Sequence, residues 1–468
     1  MVVLNPVRVK HRELDPKTRS RTYDEAILGY TQEAAKEEAD RCINCRTKPC
    51  QYACPALTRA PEYIKAIGEG DFSKALRISL ETYPISGSLG RTCFHPCEDA
   101  CVVGKKGQPV AIMMLKRAAD DYGIWPGPAD ITLPAPSGKK VAVIGSGPAG
   151  LAAATDLAKR GHKVTIYEKL PVLGGYLTVG IPGYRLPRDV VKRELDYMRQ
   201  WGVEFETEKG LGEQIHMKDL LTANDAVFLA VGTHSARKIG CPGEDLKGVE
   251  PAVDWLRRFE LGEPMGNLEG ARVVIIGGGS VGMDAARNAL RLGAASVHVV
   301  YRRAKRQMTA SPEELDQARD EGIKFIMLSN PTRLIGDDDG KVKYVECIQM
   351  ELGPADESGR QSPVPVANTE FLLRCDLAIV AIGQNASPVK QAVHGFVDTD
   401  KYGGIITNPD LSTKTPGVFA AGDIVLGPSS IIEAVGQAKK GAATLHKFLA
   451  NGAKPVAAGP DATPARSG

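Results

Sequence analysis

The sequence predicts an α/β chain with a helical, cysteine-rich front. Two observations carry this reading. From about residue 139 onward, apolar β runs that end in glycine turns alternate with helical stretches, the pattern of parallel sheets. Ahead of them, seven of the ten cysteines fall between Cys42 and Cys101, among short segments of helical spacing.

Length and charge narrow the class. A chain of 468 residues suggests two to three domains, and 43% apolar with 25% charged residues is ordinary for a globular protein. Lys plus Arg number 59 against 56 Asp plus Glu, so no basic excess points to nucleic acid or to an acidic membrane surface. The first residues, MVVLNPVRVKHREL, contain no apolar signal core, so a cytoplasmic location is expected. The most apolar long window, 141–158, contains a Gly-Ser-Gly-Pro turn and Asp156. It reads as strand, turn and helix, not as a membrane span. In a large chain of this kind, clustered cysteines suggest metal or redox work more than disulfides.

Taken in order, EAAKEEADRC, PEYIKAIGEGDFSKALRISLE and VAIMMLKRAADDYG have helical spacing, and GIWPGPADITLPAPSGKK reads as a linker. KVAVIGSGPAG and RVVIIGGGSVG then open two strand–turn–helix units about 130 residues apart, forming the one visible internal repeat. AVFLAVGT, LAIVAIGQ and GVFAAGD read as further buried strands. The Gly-, Ala- and Pro-rich tail after Asn451 is predicted to be disordered.

The first glycine turn matches a dinucleotide fingerprint. Gly145, Gly147 and Gly150 satisfy G-x-G-x-x-G directly after a strand, with Pro148 and Ala149 inside the turn. Gly145 permits the tight turn, Gly147 lets backbone approach a pyrophosphate, and Gly150 lets the helix pack on the strand. The helix N-terminus then faces phosphate charge. Glu168 ends the next strand 23 residues after Gly145, where a carboxylate can accept from both ribose hydroxyls. Far downstream, TPGVFAAGD ends at Asp423 and resembles the late motif of two-dinucleotide-domain flavoproteins. By that resemblance Asp423 holds the ribityl chain of FAD, and Ser430 to Glu433, with Ile432 among them, open a helix aimed at the flavin.

Gly277, Gly279 and Gly282 form the second fingerprint, with Ser280 and Val281 between them. The strand that follows, SVHVVYRR, ends in Arg302 and Arg303 and not in a carboxylate. An acid there would favour NAD and repel a 2′-phosphate, whereas arginine attracts it, so the pattern points to NADP(H) over NAD(H). The competing reading is a solvated strand end.

The cysteines run Cys42-x2-Cys45-x4-Cys50-x3-Cys54-Pro55, then Cys93-x3-Cys97-x3-Cys101. Cys-x2-Cys alone is common in zinc sites. Seven cysteines in this order, with a Cys-Pro ending and two nucleotide turns alongside, favour iron–sulfur clusters. Cys241, Cys347 and Cys375 stand apart and read as ordinary thiols.

With GRTCFHPCE at 90–98 and GGYLTVGIPGYRLP at 174–187, the chain resembles the small subunit of bacterial glutamate synthase and its relatives over about residues 20–450. Those relatives include the N-terminal part of dihydropyrimidine dehydrogenase and the large subunit of bifurcating ferredoxin–NADP reductases. The resemblance implies a helical iron–sulfur domain at 1–135 and an FAD domain in two parts, 136–265 and 381–452. An NAD(P) domain at 266–380 would interrupt the FAD domain, and a tail would occupy 453–468. It also implies that Gly175, Tyr176 and Arg185 contact FAD, and that there are two [4Fe–4S] clusters. One would use Cys42, Cys45, Cys50 and Cys101; the other would use Cys54, Cys93 and Cys97. Where the family often supplies a Glu or Gln as the eighth ligand, this chain has Lys116, and a protonated amine cannot ligate iron. His95 is the nearest substitute; a packing role for His95 and a labile cluster are the alternatives.

The expected function is electron transfer: hydride exchange between NAD(P)(H) and FAD, with electrons passing through the clusters. The expected partner is a larger catalytic redox subunit, a ferredoxin-like subunit, or both. The partner complex could be glutamate synthase, an aldehyde or formate oxidoreductase, a hydrogenase or a bifurcating reductase. No Ser/His/Asp or Cys/His constellation is visible, and the cofactors carry the chemistry. The absence of Cys-x2-Cys from the NAD(P) region argues against a dithiol mechanism. A different class, a cofactor-bearing docking or assembly subunit without nicotinamide turnover, stands beside this reading.

Overall fold

Short capped helices build the front of the molecule. Thr31 Oγ1 accepts from Ala34 N at 3.2 Å to start Gln32–Asp40, and Asp71 accepts from Lys74 N at 2.8 Å to start Phe72–Thr82. With Ala60–Gly68, Ser86–Thr92 and Ile112–Tyr122 they enclose a core of Tyr63, Ile64, Ile67, Leu76, Leu80 and Leu115. Ser86–Thr92 lies so close to Ile112–Tyr122 that a Cβ on Gly90 would fall 2.8 Å from the Arg117 Cα. The computed structural model describes residues 5–355, 359, 361–386 and 388–453. The expectation of a disordered tail falls on 454–468, outside the described residues.

Two parallel sheets follow. The first has the strand order Val418–Ala420, Ala226–Leu229, Lys140–Ile144, Lys163–Tyr167, Glu204–Glu206. The second has the order Lys324–Met327, Ser296–Tyr301, Arg272–Ile276, Leu377–Val380, Val249–Pro251. The chain thus leaves the first sheet after Leu229, builds the second, and returns at Val418. The two crossings pair with each other, Ser235–Ala236 against Gln384–Asn385. An antiparallel sheet formed by Ser329–Gly336, Val342–Ala355, Gln361–Pro365 and Phe371–Arg374 is attached to the second unit, and the sequence reading did not contain it.

One expected boundary moves. Val249–Pro251 pairs with Leu377–Val380, and Trp255 and Leu256 of the helix Ala252–Glu260 pack with Val273 and Ile275. These elements belong to the second sheet's unit, which therefore begins before residue 266. A three-residue strand ending in Pro251 gives too little alternation to read from sequence. Among the described residues, no helix is long and apolar enough to cross a membrane.

Candidate cofactor sites

The first glycine turn is built by close approach. Gly145 has φ +102°, and a Cβ there would meet Ala230 O at 2.4 Å; a Cβ on Gly150 would fall 1.9 Å from Gly145 O. No side chain caps the helix Pro148–Ala158, and a Cβ on its N-cap, Gly147, would meet nothing within 4 Å. Uncapped N–H groups beside a clearing suit a phosphate. Glu168 is buried, with Oε2 accepting from Ser146 N at 2.9 Å and Ser146 Oγ at 2.6 Å, and Oε1 from Leu170 N at 2.9 Å. Ser146, which sequence reasoning passed over, also accepts from Gly174 N at 3.0 Å, so one hydroxyl joins the turn, the carboxylate and the 174–175 loop.

Segments distant in sequence converge here. A Cβ on Gly175 would fall 2.8 Å from Gly147 Cα, and one on Gly422 would fall 2.7 Å from Ala149 Cβ. Asp423 therefore stands next to the first turn. Burial pushes its carboxyl up to about 6, against the opposing bonds from Ser429, whose Oγ lies 2.9 Å from Oδ1. Gln437 Oε1 accepts from Gly422 N at 2.7 Å, a contact with no sequence signature. Ser430 and Glu433 form a capping box at the start of the helix Ile431–Ala450, which buries Ile432. Tyr176 donates to Thr233 O at 2.9 Å and stacks on His234 with ring centroids 4.7 Å apart.

Arg185 does not sit as expected. Its guanidinium reaches into the second unit, with two bonds of 2.7 Å to Asp284 and an ion pair to Glu314. Arg185 thus forms a clamp between units, where two buried carboxylates need a counter-charge.

The second turn has a similar construction. Gly277 has φ +133°, with Ala381 O 2.2 Å from a notional Cβ, and Gly279 starts the helix Ser280–Arg291 without a side-chain cap. Gly282 backs onto Gly277 O, Val281 is half-buried, and Ser280 Oγ donates to Glu314 Oε2 at 2.8 Å. Arg302 is exposed at the strand end. Arg303 is buried, and its Nε donates to Gln361 O at 2.9 Å, tying it to the antiparallel sheet. Arg306, exposed nearby and bonded to Gln361 Oε1 at 2.6 Å, adds positive charge that sequence reasoning did not single out.

The cysteines divide into two groups. Cys42, Cys45, Cys50 and Cys101 line one apolar cavity with Pro61 and Ile64. Burial, followed by the neighbouring thiols, pushes Cys50 up to about 11. Cys54, Cys93 and Cys97 form the other group and are buried; burial raises both Cys93 and Cys97, and Lys116 opposes it. Among the described residues, no three His, Cys, Asp or Glu side chains converge on a single ion.

The two groups share a turn. Lys48-Pro49-Cys50 and His95-Pro96-Cys97 both place a left-handed residue (φ 44° and 43°) ahead of a short helix. His95 is thus the structural counterpart of Lys48. Its Nδ1 lies 3.6 Å from Glu98 Oε2, and the side chain standing among the three cysteines is Lys116, with Nζ 5.3 Å from the Tyr83 ring centroid. Burial alone would lower Lys116, but Tyr83 and Cys93, Cys97 and Cys54 hold it above the usual lysine value.

Comparison with known proteins agrees with this construction. Residues 139–438 match the pyridine nucleotide-disulphide oxidoreductase family, and residues 19–125 match dihydropyrimidine dehydrogenase domain II, 4Fe–4S cluster. The chain is 42% identical over 431 residues to the NADP(+)-dependent formate dehydrogenase subunit beta of Moorella thermoacetica, covering 87% of this chain and 60% of that one. It is 38% identical to the NADPH–Fe(3+) oxidoreductase subunit beta of Geobacter sulfurreducens, covering 92% of this chain and 68% of that one. It is 32% identical to the glutamate synthase [NADPH] small chain of Escherichia coli, covering 92% and 95%. The fold is shared with FprA of Mycobacterium tuberculosis in complex with NADPH, at TM-score 0.59 and 23% identity, covering 67% of this chain and 85% of that one. Two glycine turns on separate parallel sheets, a helical front carrying seven cysteines and these matches lead to one conclusion: the chain is an oxidoreductase of the glutamate synthase small-subunit family, with a pyridine-nucleotide oxidoreductase body and a 4Fe–4S domain.

Proposed function

We propose that this chain is the electron-transfer subunit of a larger redox complex, exchanging hydride between NADP(H) and FAD and relaying electrons through two [4Fe–4S] clusters to a catalytic or ferredoxin-like partner. One observation carries the relay. Cys54 and Cys93 lie in the same apolar core as Ala149, Leu177 and Ala434 of the first nucleotide site. A Cβ on Gly436 would fall 2.4 Å from Pro55 O, so the helix that starts at Ser430 rests on the turn after Cys54. The Cys42 group lies in the helical core, with Cys42, Cys45 and Cys101 only partly covered. Buried thiols beside the flavin site, then less covered thiols beyond them, form a path outward.

FAD supplies the conversion of a two-electron hydride into single electrons, and the clusters carry those electrons. The residues supply position. Gly147 and the open N-terminus of Pro148–Ala158 fit the pyrophosphate, Glu168 the ribose, and Asp423 the ribityl chain. Cys42, Cys45, Cys50 and Cys101 fit one cluster, and Cys54, Cys93 and Cys97 three corners of the other. Arg302 and the relatives whose names carry NADPH or NADP(+) support NADPH over NADH.

NADPH-dependent reduction of benzyl viologen by the purified, reconstituted chain tests the reading. Turnover is expected without any partner. A sample carrying flavin and iron that does not turn over would instead favour the docking-subunit reading. The neighbours of its coding sequence would identify the partner.

A further inference from the structure

Seven cysteines cannot fill the eight corners of two clusters, and the structure places an unusual side chain at the gap. Lys116 is 5% exposed, on the helix Ile112–Tyr122, and its Nζ lies 5.3 Å from the ring centroid of Tyr83, which packs in the same core as Cys54 and Cys93. An ammonium has three donors and no lone pair. The other candidate, His95, holds a turn that Lys48 holds equally well at the first group; its Nδ1 is buried and makes no hydrogen bond, with Glu98 Oε2 3.6 Å away, so the His95 variant below is what separates the two. Glu98 is itself engaged: Oε1 accepts from Met113 N at 2.8 Å, and Oε2 pairs with Arg8.

We propose that Cys54, Cys93 and Cys97 hold a cluster with only three protein ligands, that Lys116 is its fixed counter-charge, and that its fourth iron is exchangeable and takes solvent. The inference rests on the iron–sulfur reading above. A [4Fe–4S]2+ core with three thiolates carries one net negative charge, which one buried ammonium balances. A fourth thiolate would leave this apolar site charged. At the first group, Cys42, Cys45 and Cys101 are only partly buried, so solvent shares in screening a cluster with four thiolates there.

Controlled oxidation of the full reconstituted chain tests this. Ferricyanide should accept one electron from the three-cysteine cluster as one Fe2+ leaves, giving [3Fe–4S]+ and ferrocyanide. The expected result is one three-iron paramagnetic resonance signal per chain, a loss of about one of about eight irons, and full reversal by Fe2+ with dithionite. Dithiothreitol should perturb the signal of this cluster and spare the other. Lys116→Cys should abolish the loss of iron by supplying the missing thiolate. His95→Asn, which keeps a residue tolerant of the left-handed turn, should leave the wild-type behaviour unchanged. A wild-type protein that keeps all its iron under oxidation overturns the proposal, whether or not Lys116→Cys folds. So does a His95→Asn chain that loses iron more readily than wild type. A count near four irons that Cys54→Ser does not lower removes the second cluster itself. That outcome sinks the two-cluster reading along with the proposal, and the iron count distinguishes it from the others.

Discussion

Replacing Arg185 by Met separates two roles for a residue whose resemblance-based role was to touch FAD. In the structure its guanidinium bridges Asp284 and Glu314, both buried, while Glu314 also accepts from Ser280 in the second nucleotide turn. Met keeps most of the stem and removes the charge. Two buried carboxylates would then face each other with only Arg287 nearby to oppose them, and breaking such a buried pair costs about 3–5 kcal/mol. Burial already pushes Asp284 up to about 6 although Arg185 opposes it, so removal of the arginine raises it further. A carboxyl whose folded-state pKa lies above its unfolded value loses stability as pH rises from the unfolded pKa through the folded one. The Arg185→Met defect should therefore be largest above about pH 6 and shrink on acidification. Urea unfolding at a series of pH values measures it. Arg185→Met/Asp284→Asn should recover much of the loss, since it removes both partners of one pair. The KM for NADPH should also rise, because Glu314 beside Ser280 would carry uncompensated charge next to the pyrophosphate. Loss of flavin with unchanged urea midpoints would refute this account and return Arg185 to the FAD site.

Three further expectations concern single residues. Arg302→Ala should lower kcat/KM for NADPH by about ten- to a hundredfold relative to NADH, the equivalent of about 1.5–3 kcal/mol for a charge-assisted contact, whereas Arg303→Ala should leave the preference unchanged and weaken the fold; steady-state kinetics with both nicotinamides decides. Gly150→Ala puts a methyl where Gly145 O would lie 1.9 Å away, so flavin recovered after acid release should fall to near zero while the iron–sulfur absorbance persists. Glu194 is fully buried against Ser88 of the helical unit, and burial pushes its carboxyl up to about 8. Its contribution is present at low pH and lost as pH rises from about 4.5 through 8, so Glu194→Gln should flatten the fall in thermal stability over that window.

What was legible in the sequence is what backbone geometry forces. Only glycine can take φ +102° at 145 or +133° at 277 with a carbonyl pressed against it, so both turns stand out in the sequence and lie in the structure where the spacing puts them. The cysteine spacing reads in the same way, because each turn is local. What was not legible depends on contacts between distant segments. Nothing in YRLP indicates that Arg185 will meet Asp284 and Glu314, and nothing in VVYRR separates a buried Arg303 from an exposed Arg302 until the antiparallel sheet brings Gln361 alongside. Lys116 was visible as a departure from pattern, yet only the fold sets it among three cysteines and over Tyr83.

The same long-range contacts fix the spacing of the units, which the proposed relay requires. Arg19, Arg287 and Arg291 all bond Glu321, at 3.1, 2.6 and 2.9 Å. Burial would raise that carboxyl, but its bonds to Arg287 and Arg291 hold it below the usual range. Arg291 also lies over the Tyr184 ring, 3.7 Å from its centroid, and donates to Thr22 O at 3.0 Å, while Ala26 N donates to Tyr184 O at 2.9 Å. Arg19 and Thr22 come from the N-terminal arm, Tyr184 from the first nucleotide unit, and Arg287, Arg291 and Glu321 from the second. One buried cluster therefore fastens the three parts together, and Arg185 adds a second tie between two of them. Such desolvated charges tolerate little rearrangement, since each would be left unpaired in the interior. A hinged nicotinamide unit would have to break these contacts in every cycle. A fixed one keeps them, and its separation from the flavin site and the cysteines is then set by the fold.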